Sequence, residues 1–400
     1  MKYLLAILLV YINSIAFVWG ENSDSLIAVQ CYKTADSLYN SGFYVESQTA
    51  YKKAQDKFLA LVNETDKEVY WIKYIKSFAN IGYNLNILNK QKEAIGIINK
   101  GLKIGTIRLG KDHNIIGNLH NSMGSVYTGK GNYNLAIKSH FQSLKIKLNS
   151  VGPEHKSVGS SYGNIAINYY YLGDYKKSVE YNLQAKEIFE KKLGAEHPNV
   201  ASINNNLGEV YRSLNQNEDA LQCYEISMKI WKKMLGNEHP YLAFSYNNLG
   251  VVYFNLKEHD KALEHYNKAL EVLGKTYPED HTDLGACYVN IGRVYLAKSE
   301  TKLAKVNHDK ALTIYKNAFG FYHPRVAEVY LNLAMIQYEL KDYKNGIQYF
   351  QKGFNSSIKY FNSTGLFINP TISSSTEINS TIILLDLIIG KAQTYYKMSL

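Results

Sequence analysis

The feature that most constrains this chain is a residue pair, one large and apolar and the next small, that returns every 42 positions. It stands at Ile81-Gly82, Met123-Gly124, Ile165-Ala166, Leu207-Gly208, Leu249-Gly250, Ile291-Gly292 and Leu333-Ala334. Four residues after the apolar one comes Tyr127, Tyr169, Tyr211, Tyr253 or Tyr295. Thirteen after it comes a small residue: Ala94, Ala136, Ser178, Ala220, Ala262, Ala304 or Gly346. Twenty after it comes Gly101, Ser143, Ala185, Ser227, Ala269, Ala311 or Gly353. A looser copy starts near Thr34, with Ala35, Leu38, Ser47, Tyr51 and Ala54 at the matching offsets.

Residues four apart share one face of a helix, so the apolar residue and its tyrosine belong to a single buried stripe. The small residues at offsets 1, 13 and 20 let neighbouring backbones approach. Turn signals at 129–133 (GKGNY), 172–175 (LGDY) and 340–343 (LKDY) divide each unit into two helices. Each unit is thus a helical hairpin whose apolar face only a neighbour can cover. With 46% hydrophobic and 20% charged residues, the 400-residue chain has the composition of a folded protein, not a disordered one.

One histidine keeps the same period: His113, His155, His197, His239, His281 and His323, as in LGAEHPNV at 193–200. A shared metal is excluded by spacing. Zn–N bonds are about 2 Å, whereas equivalent positions are two helix packings apart, each roughly 8–10 Å. No nucleophile recurs beside these histidines, which also speaks against catalysis. Pro198, Pro240 and Pro324 follow directly, and proline favours the first helical position. The histidine then falls at the N-cap, preceded by an acid (Asp112, Glu154, Glu196, Glu238, Asp280) that suits a helix start. Upstream, Gly110, Gly152, Gly194, Gly236 and Gly320 fit a left-handed residue ending the previous helix. The stretch TYPEDHTDL at 276–284 keeps the histidine but lacks the glycine, so a different local geometry is expected there.

Residues 247–270, NNLGVVYFNLKEHDKALEHYNKAL, resemble the tetratricopeptide repeat (TPR) at its Leu, Gly, Tyr, Ala, Tyr and Ala positions. The usual period of about 34 residues is here lengthened by about two helical turns. The 42-residue form, with LG..HP.VA...NNLG..Y, is similar to kinesin light chain repeats. The resemblance covers about residues 30–355. It implies an all-α fold: a right-handed TPR superhelix, or α-solenoid, of about eight helical hairpins.

In such a stack the first helix of each hairpin lines the concave side. Just before the apolar position stand Asn80, Asn164, Asn206, Asn248, Asn290 and Asn332, with Ser122 as the exception. An amide both donates and accepts, so a ladder of them can hold an extended peptide backbone. In kinesin light chains and related repeats asparagines at this position contact peptide ligands; the resemblance nominates Asn164, Asn206, Asn248 and Asn290 for protein or peptide binding. The alternative is that they satisfy groups within the stack. Five residues past the apolar position the row varies, and Tyr170, Arg212 and Phe254 form its most adhesive part.

No GxGxxG, Walker A, HExxH, GxSxG or kinase signature occurs. The reading is a non-enzyme with no catalytic residue, cofactor or metal. Its net charge of +10 comes from scattered lysines with no arginine-rich run, so no nucleic-acid partner is expected. Cys31, Cys223 and Cys287 form no CxxC pair and suggest no disulfide framework.

The opening MKYLLAILLVYINSIAFVWG, residues 1–20, has the n-region, short apolar core and small residues (Val18, Gly20) of a signal peptide. Export to a periplasmic or secreted location is expected, or membrane anchoring if the segment is not cleaved; the solenoid would then occupy 21–355. Residues 356–379 read as a polar linker containing Pro370, and 380–400 as the first helix of a further, truncated repeat, with Ala392 and Tyr395 at offsets 1 and 4. Asn369, Pro370, Leu384, Leu385, Leu387, Lys391, Ala392, Tyr395 and Tyr396 match the segment that in bacterial TPR–CHAT proteins precedes a caspase-like domain. That layout implies an alternative: the regulatory N-terminal half of a longer enzyme, a protease or a sensor kinase.

Overall fold

The computed structural model describes residues 23–41, 43–358 and 381–399. The expected signal segment, and the linker residues from 359 to 380, lie outside the described residues. Every described element is an α-helix, and the chain forms two compact units that meet at Leu214/Asn215.

The first unit holds α1 (Ser23–Asn40), α2 (Tyr44–Thr65), α3 (Glu68–Ile87), α4 (Gln91–Leu109), α5 (Asn114–Gly129), α6 (Tyr133–Val151), α7 (Lys156–Tyr171), α8 (Tyr175–Leu193) and α9 (Pro198–Ser213). The second holds α10 (Asn217–Leu235), α11 (Pro240–Asn255), α12 (His259–Thr276), α13 (Thr282–Ala297), α14 (Thr301–Phe319), α15 (Pro324–Glu339), α16 (Tyr343–Ser357) and α17 (Thr381–Ser399). In the first unit α1–α2, α3–α4, α5–α6 and α7–α8 are hairpins, and each packs on the next. In the second, α11–α12, α13–α14 and α15–α16 do the same, and α17 packs on α16 and α15.

The small residues do what their spacing implied. Ala94, Ala136, Ala262 and Ala304 are fully buried where the two helices of a hairpin cross. The glycine at offset 1 faces a large residue at offset 17. A methyl group built on Gly124 would lie 2.5 Å from the His140 ring, and one on Gly250 2.6 Å from the Tyr266 ring. Both approaches are too close for any side chain but hydrogen. At the fourth hairpin Ala166 replaces the glycine, and the residue opposite is the smaller Asn182.

Two kinds of joint set the geometry. Within a hairpin the turn needs one residue at positive φ, and it is always at offset 8: Asn89, Gly131, Gly173, Asn215, Lys257, Ser299 and Lys341, with φ between 57° and 79°. Between hairpins the six recurrent histidines are N-caps. Each Nδ1 accepts from the backbone N–H two residues on, at 3.1 Å for His197–Asn199 and 3.3 Å for His281–Asp283. The preceding glycines have positive φ, as expected, but extended ψ: Gly194 sits at φ 89°, ψ 153°. That region is essentially closed to other residues, a tighter demand than an ordinary left-handed cap. At 276–281 the geometry does differ. Helix α12 stops at Thr276, Tyr277 is extended at φ −119°, and its ring stacks on His281 with centroids 3.9 Å apart.

Helix α17 is the last described element. Helix α17 buries Leu384, Leu387, Lys391 and Thr394 against its neighbours. Its other side exposes Leu385, Ile388, Ile389 and Tyr396. Among the described residues no helix is long and apolar enough to cross a membrane.

Candidate functional site

In the first unit the first helices of successive hairpins are tied by side chains on one shared face. Asn86 Nδ2 donates to the Ser125 carbonyl at 3.1 Å, joining α3 to α5. Asn164 Nδ2 donates to Asn121 Oδ1 at 2.9 Å and Thr128 Oγ1 to Asn168 Oδ1 at 2.8 Å, joining α5 to α7. Ser213 Oγ reaches the Tyr170 hydroxyl at 3.4 Å, joining α7 to α9. In the second unit Asn290 Nδ2 donates to Asn247 Oδ1 at 2.9 Å, joining α11 to α13.

This places the nominated asparagines individually. All four are half-buried on the first-helix face. Asn164 and Asn290 use their N–H groups on the asparagine 43 positions earlier, so the stacking role is realised at both, and their carbonyl oxygens are left as acceptors. At Asn206 the corresponding position is Gly163, which has no side chain to accept. Among the described residues the Asn206 amide makes no side-chain hydrogen bond and keeps both its donors and its acceptor. Asn248 lies half-buried at the equivalent point of α11.

The variable row is half-buried as well. Tyr170 sits among Tyr171 and Tyr175, with ring centroids 5.5 and 5.7 Å away. Arg212 pairs with Glu209 at 2.6 Å, one turn back on the same helix. Phe254 carries the Arg293 guanidinium 5.5 Å above its ring.

Sequence reasoning passed over a second set of ionisable groups, all in the core. His140 and His308 occupy offset 17, where other repeats have Ile98, Tyr224, Tyr266 and Phe350, and both are buried. His140 Nδ1 meets Asn121 Oδ1 at 3.1 Å; neither ring nitrogen of His308 has a partner. Burial pulls both down to about 4, helped by Lys147 at His140 and by Arg293 at His308. Lys147 is itself only 3% exposed, and burial brings its ammonium down to about 8. It donates to Ser161 Oγ at 3.1 Å with no carboxylate opposite. The signal was available: Lys147 stands in the row of Gly105, Phe189, Trp231, Leu273 and Tyr315, where every other residue is uncharged. Cys287 is buried and its thiol is pushed up to about 12 by that burial, so it packs as a small apolar group. Among the described residues no group of three or more His, Cys, Asp or Glu side chains could hold a metal ion.

Comparison with known proteins agrees with this architecture. The tetratricopeptide repeat model matches five overlapping stretches, 115–191, 157–233, 199–275, 241–317 and 283–357, together more than half of the chain. No match was found among curated protein sequences. Among solved structures, the apo form of RapI is similar over 93% of this chain and 98% of its own, at 16% identity and a TM-score of 0.59. The tetratricopeptide-sensor STAND protein PH0952 from Pyrococcus horikoshii is similar over 86% of this chain and 48% of its own, at 14% identity and a TM-score of 0.60. BtubC (BKLC) from P. vanneervenii is similar over 59% of this chain and 92% of its own, at 22% identity and a TM-score of 0.48. At these identities the likeness is one of fold. The chain belongs to the tetratricopeptide repeat family.

Proposed function

We propose that this protein is an exported scaffold that holds a protein partner, as an extended segment, on the first-helix face of its repeats, with no chemistry of its own. Tetratricopeptide repeats are in general non-catalytic platforms for protein interaction, and the joint histidines are occupied as helix caps. The observation that carries the reading is the free amide of Asn206: a half-buried group that can offer a peptide backbone two donors and an acceptor. Asn248 stands at the equivalent point of α11 and belongs to the same row. Asn164 and Asn290 would offer their carbonyl oxygens, with Tyr170, Arg212 and Phe254 selecting side chains. Export rests on the sequence of residues 1–20.

The test is affinity capture with the chain lacking residues 1–20, compared with the Asn206→Ala/Asn248→Ala double variant. Loss of the captured partner with an unchanged melting temperature is expected. Retention of every partner by the double variant overturns the asparagine reading.

A further inference from the structure

At the N-terminal end of the first unit, away from Asn206, lies a cavity of about 210 Å³ lined by Tyr39, Tyr51, Asn80, Tyr83 and Ser122. Its walls come from α1, α2, α3 and α5. The volume is below the roughly 300 Å³ at which drug-sized pockets begin, so it suits a side-chain-sized group. Tyr39 and Tyr83 meet at 60° with ring centroids 5.9 Å apart, making a corner of two aromatic faces. Tyr51 is buried, and its hydroxyl donates to Asp36 Oδ1. A phenol that donates to a carboxylate becomes more electron-rich, and the carboxylate adds a negative charge behind the ring. No lysine or arginine is among the lining residues.

Three tyrosine rings with a carboxylate behind one of them is the chemistry of a cage for organic cations, in which ring faces attract a positive charge that water solvates poorly. The neighbouring ring shows the same preference. Lys73 and Lys76 hold their ammonium groups 5.7 and 5.5 Å from the centroid of Tyr32, whose edge meets Tyr51. Asn80 Nδ2 is committed to the Tyr32 hydroxyl at 2.8 Å, which leaves its carbonyl oxygen to accept from any N–H the guest retains. The chain's net charge of +10 gives cations no general attraction, so affinity must arise from this local arrangement.

We propose that this cavity binds a methylated or quaternary ammonium group through the faces of Tyr39, Tyr51 and Tyr83, with Asp36 as the counter-charge. The site is independent of the asparagine row at α9 and α11, and its readout does not require the protein partner. Calorimetric titration of the full chain with choline and with its neutral carbon isostere, dimethylbutanol, separates charge from apolar fit. Choline should saturate one site and bind about tenfold tighter than the isostere. A Tyr39→Leu/Tyr83→Leu variant should lose choline binding at an unchanged melting temperature, since both rings are partly exposed. Asp36→Asn should weaken it several-fold. A short peptide bearing trimethyl-lysine forms a further arm: tighter binding of the peptide assigns the site to a displayed side chain, tighter binding of choline to a free cation, and either result upholds the cage. Equal binding of choline and dimethylbutanol, no saturable choline binding, or undiminished binding by a folded tyrosine variant overturns it.

Discussion

The histidines of the joints and the histidines of the core sit on the same 42-residue grid and do opposite things. His197 keeps its Nδ1 lone pair turned to the Asn199 N–H, where it caps a helix at the surface. His308 is sealed inside a hairpin against Gly292, with neither nitrogen bonded. At the joint the imidazole supplies an acceptor; in the core it supplies volume and carries an unmet polar cost. The same side chain is therefore stabilising in one row and a liability in the other, and the neighbouring atoms decide which.

The largest test of that contrast is acid. Both core imidazoles titrate at about 4 in the fold, below the ordinary value of 6.5, because burial disfavours their charge. As pH falls the unfolded chain takes up these protons first. Stability is therefore full above about pH 6.5 and is lost progressively down to about pH 4, by roughly 3 kcal/mol for each histidine. Replacing both His140 and His308 with phenylalanine, the residue found at Phe350, should flatten that loss and raise stability at neutral pH. The check is urea unfolding followed across the acid range; an unchanged pH slope in the double variant would count against the assignment.

A smaller effect probes why the core imidazole fits at all. Gly124→Ala pushes a methyl group into the His140 ring, and we expect a loss of about 1–3 kcal/mol by thermal or urea unfolding. In a Gly124→Ala/His140→Asn variant, which copies the Ala166–Asn182 pair of the fourth hairpin, part of that loss should return. The smallest effect lies in the turns. Lys257→Gly relieves a left-handed lysine at φ 63° and should stabilise by about 0.5–1 kcal/mol, measured as a raised urea midpoint.

Much of this was legible in the sequence, and the reason is the repetition itself. Seven aligned copies separate what each offset demands from what any one residue contributes, so the hairpins, the small-residue crossings and the histidine caps could all be read. The core histidines escaped because they do not recur: offset 17 holds isoleucine, histidine, asparagine, tyrosine or phenylalanine, and only its burial is constant. The asparagine row was found by its period, but its division of labour was not. Whether an asparagine spends its donors in the stack depends on the residue 43 positions before it, asparagine for Asn164 and glycine for Asn206. The tyrosine cavity escaped because Tyr83, which makes its corner with Tyr39, has no tyrosine counterpart in the other repeats, and its lining is drawn from three hairpins.

The central claim is that the recurrent histidines are joints and that binding resides elsewhere. The direct measurement compares His197→Asn with His197→Ala for both melting and partner capture. Asparagine also caps helices well, so His197→Asn should melt as the parent does and retain the partner, while His197→Ala should lose about 1 kcal/mol. A His197→Asn protein that melts normally yet no longer captures the partner would contradict the claim and return the histidine to function.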